Sequence, residues 1–245
     1  MLRIAYLRRH SRPWLPLLLL LAPGPVAWAA GSGPPAAFSA TYAVAWHGIT
    51  AGQSLLQLTA AGDAWRYTSR IQAHGIFRLV FPDALLQSST FRLQDGRVAP
   101  LSYSETGQAR DHSDDVSLTF DRGTGRVRGM AGRKIVDQPL VAGVQDPMSV
   151  QVELMRELAM GADPQRFVLF DKDESKEYRY TREGSVALDT ALGRLATVLY
   201  RSDRPGSDRV TRLWLAPQLG YLPVRAERSR GGSVDLSLRI LSLNR

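Results

Sequence analysis

The 245-residue chain has no cysteine, only four histidines and no long hydrophobic run. The lack of cysteine excludes disulfide bonds, thiolate metal ligands and a lipid anchor attached to cysteine. In an oxidising compartment the fold must therefore be stabilised by packing alone. A membrane-spanning helix needs about 20 apolar residues, whereas the apolar run from Trp14 to Ala22 is interrupted by a proline and has about nine. We expect no integral membrane span in the mature protein.

The first 29 residues have the three parts of a cleavable secretory signal. Arg3, Arg8, Arg9 and Arg12 make the start basic, an apolar run follows, and Ala27 to Ala29 place small residues at a cleavage site. Removal of these arginines lowers the formal charge from +8 to about +4. We predict a signal peptide at 1–29, a flexible linker at 30–37 and one β-rich domain at 38–245, located in the periplasm. An exported protein with this charge is not expected to bind nucleic acid.

Alternating apolar residues dominate the predicted domain and indicate strands. The first lies at Phe38 to Trp46, and about a dozen follow at short intervals between glycine-rich turns. One returning strand is predicted over Val127 to Val136, and two separate strands over Glu177 to Arg182 and Ser185 to Thr190. The segment from Gly75 to Leu86 does not alternate, so a loop or a short helix remains open there.

The segment from Gln145 to Met160 is predicted to form the main helix. Asp146 can cap its first amides and Pro147 suits its first turn. Apolar residues then recur at helical spacing, with a stripe made of Met148, Val150, Val152, Leu154, Met155, Leu158 and Ala159. Because this stripe and one face of the sheet each need cover, we predict a strongly curved antiparallel sheet, an open or half β-barrel, wrapped around one main α-helix.

Catalytic and metal sites are not indicated by the sequence. There is no G-x-S-x-G motif, and His47, His74 and His112 all lie at predicted turns or polar segments. The acids around His112 match no metal-binding loop. Asp146 and Ser149 lie on one helical turn, where capping is the simpler role. We predict no catalytic residue, no metal and no cofactor.

Four short motifs carry a resemblance to a known family. They are WHGITAG at Trp46 to Gly52, QDPMS at Gln145 to Ser149, LDTALGRLATV at Leu188 to Val198 and TRLWLAPQLGYLPVRAE at Thr211 to Glu227. Together they resemble the bacterial exported domain-of-unknown-function 3108 family. The resemblance implies a periplasmic, β-rich protein and offers no catalytic residue. The motif positions with an evident structural role are Gly48, Gly52, Asp146, Pro147, Ser149, Gly193 and Pro223.

Aromatic and methionine side chains inside the curved sheet suit a greasy ligand. The candidate lining residues are Trp46, Trp65, Tyr67, Phe77, Phe81, Met148, Val152, Met155 and Trp214. The leading hypothesis is a non-enzymatic periplasmic protein that binds a lipid, another apolar or amphiphilic envelope component, or an envelope protein. The alternatives are an assembly factor that docks through an exposed strand edge and an uncharacterised hydrolase. A solid core would place the lining residues in packing instead.

Overall fold

The computed structural model describes residues 36–107 and 111–245. The predicted signal peptide and most of the predicted linker therefore lie outside the described residues. In the described part, alternating sequence produces strands throughout. The first eight strands, β1 to β8, are Phe38–Trp46, Ile49–Ala61, Ala64–Ala73, Leu85–Gln94, Arg97–Thr106, Val116–Asp121, Arg126–Ala131 and Lys134–Pro139. The other six, β9 to β14, are Arg166–Asp171, Glu174–Thr190, Gly193–Asp203, Arg209–Ala216, Leu222–Arg230 and Ser233–Asn244.

These strands form one antiparallel sheet, in the order β8-β7-β6-β5-β4-β3-β2-β1-β14-β13-β12-β11-β10-β9. Strands that follow one another in sequence are paired, except for β8 and β9, and β1 also pairs with β14, which joins the two halves. The strands β8 and β9 are the edges of an open sheet. The curvature of the sheet brings its two edges close together, as an ion pair between Lys134 of β8 and Asp173 beside β9 shows. The prediction of a mainly β protein with an open, curved antiparallel sheet is confirmed.

The segment between β8 and the main helix also ties the two halves of the sheet together. The backbone of Gln145 pairs with β9, donating to the Val168 carbonyl at 2.8 Å and accepting from the Phe170 amide at 2.8 Å. Its side chain reaches β5, where Nε2 donates to the carbonyl of Val98 at 2.8 Å. Nearby, the rings of Phe120 and Phe170 meet edge to face with centroids 6.1 Å apart.

Two strand boundaries differ from the sequence prediction. The single strand predicted over Val127 to Val136 is instead the hairpin of β7 and β8, because Gly132, with φ of 58°, turns the chain. Conversely, the two strands predicted on either side of Gly184 are one strand, β10. A register shift between Arg182 and Gly184 absorbs the irregularity, and Gly184 has φ of 138°.

The structure has a short helix, α1 (Phe77–Val80), and the main helix, α2 (Ser149–Ala159). The predicted helix exists but begins at Ser149, four residues after the predicted start at Gln145. Gln145 instead forms backbone hydrogen bonds with β9. The stripe on α2 faces two hydrophobic clusters. Met148, Val152 and Met155 join the larger cluster, which contains residues of both halves of the sheet, and Val150, Leu154 and Leu158 pack with residues of β9 to β12. No helix in the described part is long and apolar enough to span a membrane.

Candidate functional site

The carboxylate of Asp146 is fully buried and caps α2. Its Oδ1 accepts from the amides of Met148 at 2.8 Å and Ser149 at 2.7 Å, and its Oδ2 accepts from the hydroxyl of Ser89 at 2.6 Å. In return, the amide of Asp146 donates to Oγ of Ser149 at 2.9 Å. Burial raises the pKa of Asp146 to about 6, although each of these hydrogen bonds lowers it. Asp146 and Ser149 are thus used in holding the helix start against β4.

A second buried polar pair on α2 also has a structural role. Arg156 donates to both carboxylate oxygens of Glu153, at 2.9 and 2.8 Å, and both side chains are almost fully buried. Glu153 Oε2 further accepts from the amide of Val98 at 2.9 Å. The β5–β6 pairing begins only at Ser102. The side chains of Glu153 and Gln145 therefore complete the hydrogen bonding of the β5 edge where no strand reaches it.

The three histidines of the predicted domain lie apart. His47 is in the turn between β1 and β2 with φ of 46°, and His74 follows β3. Nδ1 of His112 is 3.0 Å from Oδ2 of Asp115 in an exposed turn. Among residues 36–107 and 111–245, no group of three or more histidine or acidic side chains is arranged to hold a metal ion.

An apolar cavity of about 250 Å³ lies where β1 ends, and no residue of α2 lines it. We name it the Trp46 pocket. Trp46 pairs with Leu236, and Leu236 pairs with Arg228, so these three side chains project from one face across β1, β14 and β13. Ile71 and Leu85 form a matching pair on β3 and β4. The pocket is lined by Val44, Trp46, Ala51, Gly52, Ile71, Gln72, Ala73, Phe81, Asp83, Leu85, Gly107, Arg228 and Leu236.

Gly52 is required by the packing of the pocket wall. A Cβ atom at this position would lie 2.1 Å from the carbonyl oxygen of Gln72, so the β2 and β3 backbones approach too closely for any side chain. The other glycine of that motif, Gly48, lies in the turn after β1 with φ of 81° and has open space around it. In the later motifs, Gly193 has φ of 96°, and Pro223 lies at the register shift between β12 and β13, where its carbonyl accepts from the Tyr42 hydroxyl at 2.8 Å. These positions shape the backbone.

The segment from Gly75 to Leu86 lies at the mouth of the pocket and contains α1. The ring of Phe81 meets that of Trp46 edge to face, with centroids 6.3 Å apart. Phe81 is nevertheless 45% exposed, and Ile76 is 74% exposed. Ile49 of β2, the strand partner of Trp46, is 63% exposed. Apolar groups that face water so fully around an apolar cavity are typical of a binding site.

One charged pair is held at the pocket wall. Arg228 donates from Nε to Oδ1 of Asp235 at 3.0 Å and from Nη2 to Oδ2 at 3.0 Å. Burial raises the pKa of Asp235, but hydrogen bonds from Arg228 and the charges of Arg228 and Arg230 outweigh it and hold this pKa below its usual range. The guanidinium carbon of Arg228 lies 6.0 Å from the centre of the Trp46 ring. The pocket is therefore greasy inside and polar on the β13 side.

The structure divides the nine candidate lining residues into two sets. Trp46 and Phe81 line the Trp46 pocket, and Phe77 lies half-buried in α1 beside it. The other six belong to the packed interior, as Trp65, Tyr67, Met148, Val152, Met155 and Trp214. Six of the seven side chains of the predicted stripe thus pack within the two hydrophobic clusters, and Ala159 is exposed. Ile71, Leu85 and Arg228 were not identified from the sequence, because their period-two pattern is that of any half-buried strand.

The fold and pocket define a class: a β-rich protein built on one open, curved sheet, with an apolar cavity at one end. The chain belongs to DUF3108, a family of proteins of unknown function, whose match covers residues 41–239. The family resemblance of the four motifs is confirmed. No curated protein matches the sequence.

Two solved structures are similar to this one in outline. One is a β-barrel-like protein of the domain of unknown function DUF1849 from Brucella abortus, with a TM-score of 0.49 and 13% identity, covering 85% of this chain and 97% of that chain. The other is a protein with a YmcC-like fold from Bacteroides fragilis, with a TM-score of 0.35 and 9% identity, covering 85% of this chain and 95% of that chain.

Proposed function

We propose that this chain is a non-enzymatic periplasmic protein that binds the apolar part of an envelope amphiphile in the Trp46 pocket. The observation that carries the proposal is an apolar cavity of about 250 Å³ that is lined by Trp46 and by the 45% exposed ring of Phe81. Ordinary ligand pockets begin at about 300 Å³. The cavity therefore suits one end of an acyl chain or one ring, with the remainder of the ligand outside.

The position of α2 explains why the cavity lies beside Trp46. We infer that the sheet wraps around α2 and that the helix fills the interior it encloses, because its apolar stripe contributes to both hydrophobic clusters. The Trp46 pocket, at the end of β1, is not lined by any residue of α2. It is covered by the Gly75 to Leu86 segment, and α1 in that segment has only four residues. A cover of this size, with few buried side chains, can open at a lower cost than the packed interior.

Brominated acyl chains provide a direct test, since bromine quenches a tryptophan that it contacts. The predicted mature chain has three tryptophans, Trp46, Trp65 and Trp214. We expect a brominated fatty acid to quench part of the emission of the protein. The quenching should be lost in Trp46→Phe and kept in Trp65→Phe and Trp214→Phe, whose indoles belong to the core.

The proposal fails if no quenching occurs, or if Trp46→Phe is quenched as strongly as the unchanged protein. An independent measurement is native mass spectrometry of protein purified from its own periplasm, in which a retained lipid is expected. Recovery of the protein in the cytoplasm, with residues 1–29 still attached, would overturn the periplasmic part of the proposal.

The edge strand β8 supports a second candidate function, docking of a partner strand. Ile135 of β8 is 77% exposed, and the outer edge of β8 pairs with no other strand in the described part of the chain. Replacement of Ile135 by proline would block an added strand. Unchanged capture of an envelope partner by Ile135→Pro would rule out this edge.

A further inference from the structure

A second cavity, of about 330 Å³, lies among β9 to β13 and is strongly polar. We name it the arginine pocket, after Arg204, Arg209 and Arg230. Hydroxyl groups of Tyr178, Ser202, Ser207 and Thr211 complete much of its lining, with the carboxylates of Asp171 and Asp208. The loop from β11 to β12 carries Arg204, and the paired residues Arg209 and Arg230 face each other across β12 and β13.

The three arginines form no close ion pair within the described structure, although the charge of Arg230 contributes to lowering the pKa of Asp235. Several arginines elsewhere in the sheet do form ion pairs: Arg179 lies 2.8 Å from Asp203, and Arg212 lies 2.8 Å from Glu183. The guanidinium groups of the arginine pocket, in contrast, form no ion pair or hydrogen bond with any residue of 36–107 or 111–245. Like charges brought together without partners repel one another, so their convergence adds nothing to stability.

The two acids of this pocket do not neutralise it. Oδ2 of Asp171 accepts from the hydroxyl of Tyr178 at 3.1 Å and lies 3.5 Å from Nζ of Lys176, so its charge is already matched. Asp208 is exposed on the loop. Arg204 and Arg209 lie close enough to Tyr178 to oppose the effect of burial, which raises the pKa of that hydroxyl. The pocket therefore has an excess of positive charge and several hydroxyl donors.

The arginine pocket and the Trp46 pocket lie along one row of the sheet. Ser202 pairs with Thr211, Thr211 with Arg228, Arg228 with Leu236, and Leu236 with Trp46. Residues paired in this way project from the same face. Neighbouring strands are about 4.8 Å apart, so Thr211 and Trp46, three strands apart, are separated by about 14 Å along the sheet.

Arg228 lies between the two pockets and is held in place by Asp235. Two of its nitrogens bind that carboxylate, which leaves the pair nearly neutral. The unmatched positive charge thus lies at the far end of the row, and the apolar volume lies at the near end. This order of apolar cavity, neutral polar pair and cationic cavity matches the order of groups in an anionic single-chain amphiphile.

We propose that the arginine pocket binds a phosphoryl group, and that this group is the head of the amphiphile whose chain enters the Trp46 pocket. This inference rests on the proposed function. The guanidinium groups of Arg204, Arg209 and Arg230 provide planar pairs of donors that match phosphoryl oxygens, and hydroxyls such as that of Thr211 supply further hydrogen bonds.

The test compares two brominated single-chain lipids by their quenching of Trp46. One carries a glycerol phosphate head and the other the neutral glycerol head. We expect the phosphate to bind at least about tenfold more tightly, since each hydrogen bond to a charged group contributes severalfold or more. Substitution of glutamine at both Arg204 and Arg209, or at Arg230, should abolish this preference while the neutral lipid still quenches. Arg66→Gln, at an exposed arginine of β3, is the matched control and should keep the preference.

Each result separates the two proposals. Equal affinity for both lipids, unchanged by the arginine substitutions, overturns the headgroup site and leaves the Trp46 pocket standing. Quenching by neither lipid overturns the proposed function, and with it the assignment of a lipid head. Glycerol phosphate without a chain distinguishes a free phosphate ligand: if calorimetry shows that it binds as tightly as the lipid, the link between the two pockets is wrong.

Discussion

The buried carboxyl group of Asp146 should make the stability of this protein depend on pH in an unusual direction. Folding takes this group out of water, and burial raises its pKa from 3.8 to about 6. The folded protein therefore binds a proton more tightly than the unfolded chain does. The stabilisation that follows is complete below about pH 4 and is lost as the pH rises through 6.

The size of the effect follows from the two pKa values. A change of one pKa unit corresponds to about 1.4 kcal/mol, so the full effect of Asp146 is about 3 kcal/mol. Between about pH 4.5 and pH 8, the contribution of Asp146 to the free energy of unfolding falls by about 2 kcal/mol. This is a sizeable fraction of the 5 to 15 kcal/mol that stabilises an ordinary domain, as an order-of-magnitude figure.

Replacement of Asp146 by asparagine isolates this contribution. The amide oxygen can still accept from the amides of Met148 and Ser149, so the cap of α2 is kept, and the group no longer titrates. We expect urea unfolding to show Asp146→Asn gaining about 2 kcal/mol relative to the unchanged protein as the pH is raised from about 4.5 to 8.

The matched control is Asp121→Asn. Asp121 also accepts a backbone hydrogen bond, from the amide of Thr124 at 3.0 Å, but it is exposed and its pKa is lowered by hydrogen bonds from Thr124. Its effect on stability should have the opposite sign, because a lowered pKa favours the folded state at high pH. A difference between Asp146→Asn and the unchanged protein that stays constant with pH would show that the buried carboxyl group does not titrate in this range.

Two further predictions concern α2, and urea unfolding tests both. Leu154→Ala should destabilise the protein by about 2 to 5 kcal/mol, because Leu154 is 1% exposed, whereas Ile76→Ala should change stability by less than about 0.5 kcal/mol. Glu153→Ala should cost about 3 to 5 kcal/mol, since it leaves Arg156 charged and buried, while Glu183→Ala breaks a more exposed pair and should cost about 1 kcal/mol at most. Equal costs within either comparison would contradict the burial on which it depends.

The strands were predictable because their signal is local. The alternation in Phe38–Trp46 gives β1 with its bounds correct, and most other strands agree within a few residues. The two wrong strand boundaries lie at glycines, which can either turn the chain or stay within a strand. Gly132 reverses the chain and makes a hairpin, whereas Gly184 only shifts the register of a continuous strand. A glycine in a sequence permits both outcomes, and long-range pairing decides between them.

The polar residues of α2 show a limit of reasoning from sequence. Asp146 was correctly expected near the first amides, because capping is a local interaction. The bond from Ser89 to Asp146 and the bond from Val98 to Glu153 join residues more than 50 positions apart. Such contacts depend on the pairing of the whole sheet. The same holds for the arginine pocket, whose residues come from five strands and a loop.

The surroundings of α2 and the two pockets differ in whether their apolar and charged side chains have partners within the protein. Around α2, the side chains of Asp146, Glu153 and Arg156 have partners, and most of the apolar stripe is buried. Around the two pockets, Ile76 remains exposed, and Arg204 and Arg209 form no ion pair in the described chain. Exposed apolar groups and unpaired like charges do not stabilise a fold. A ligand with an apolar chain and an anionic head would give both kinds of group a partner at once, and this is why we place the function there and not at the helix.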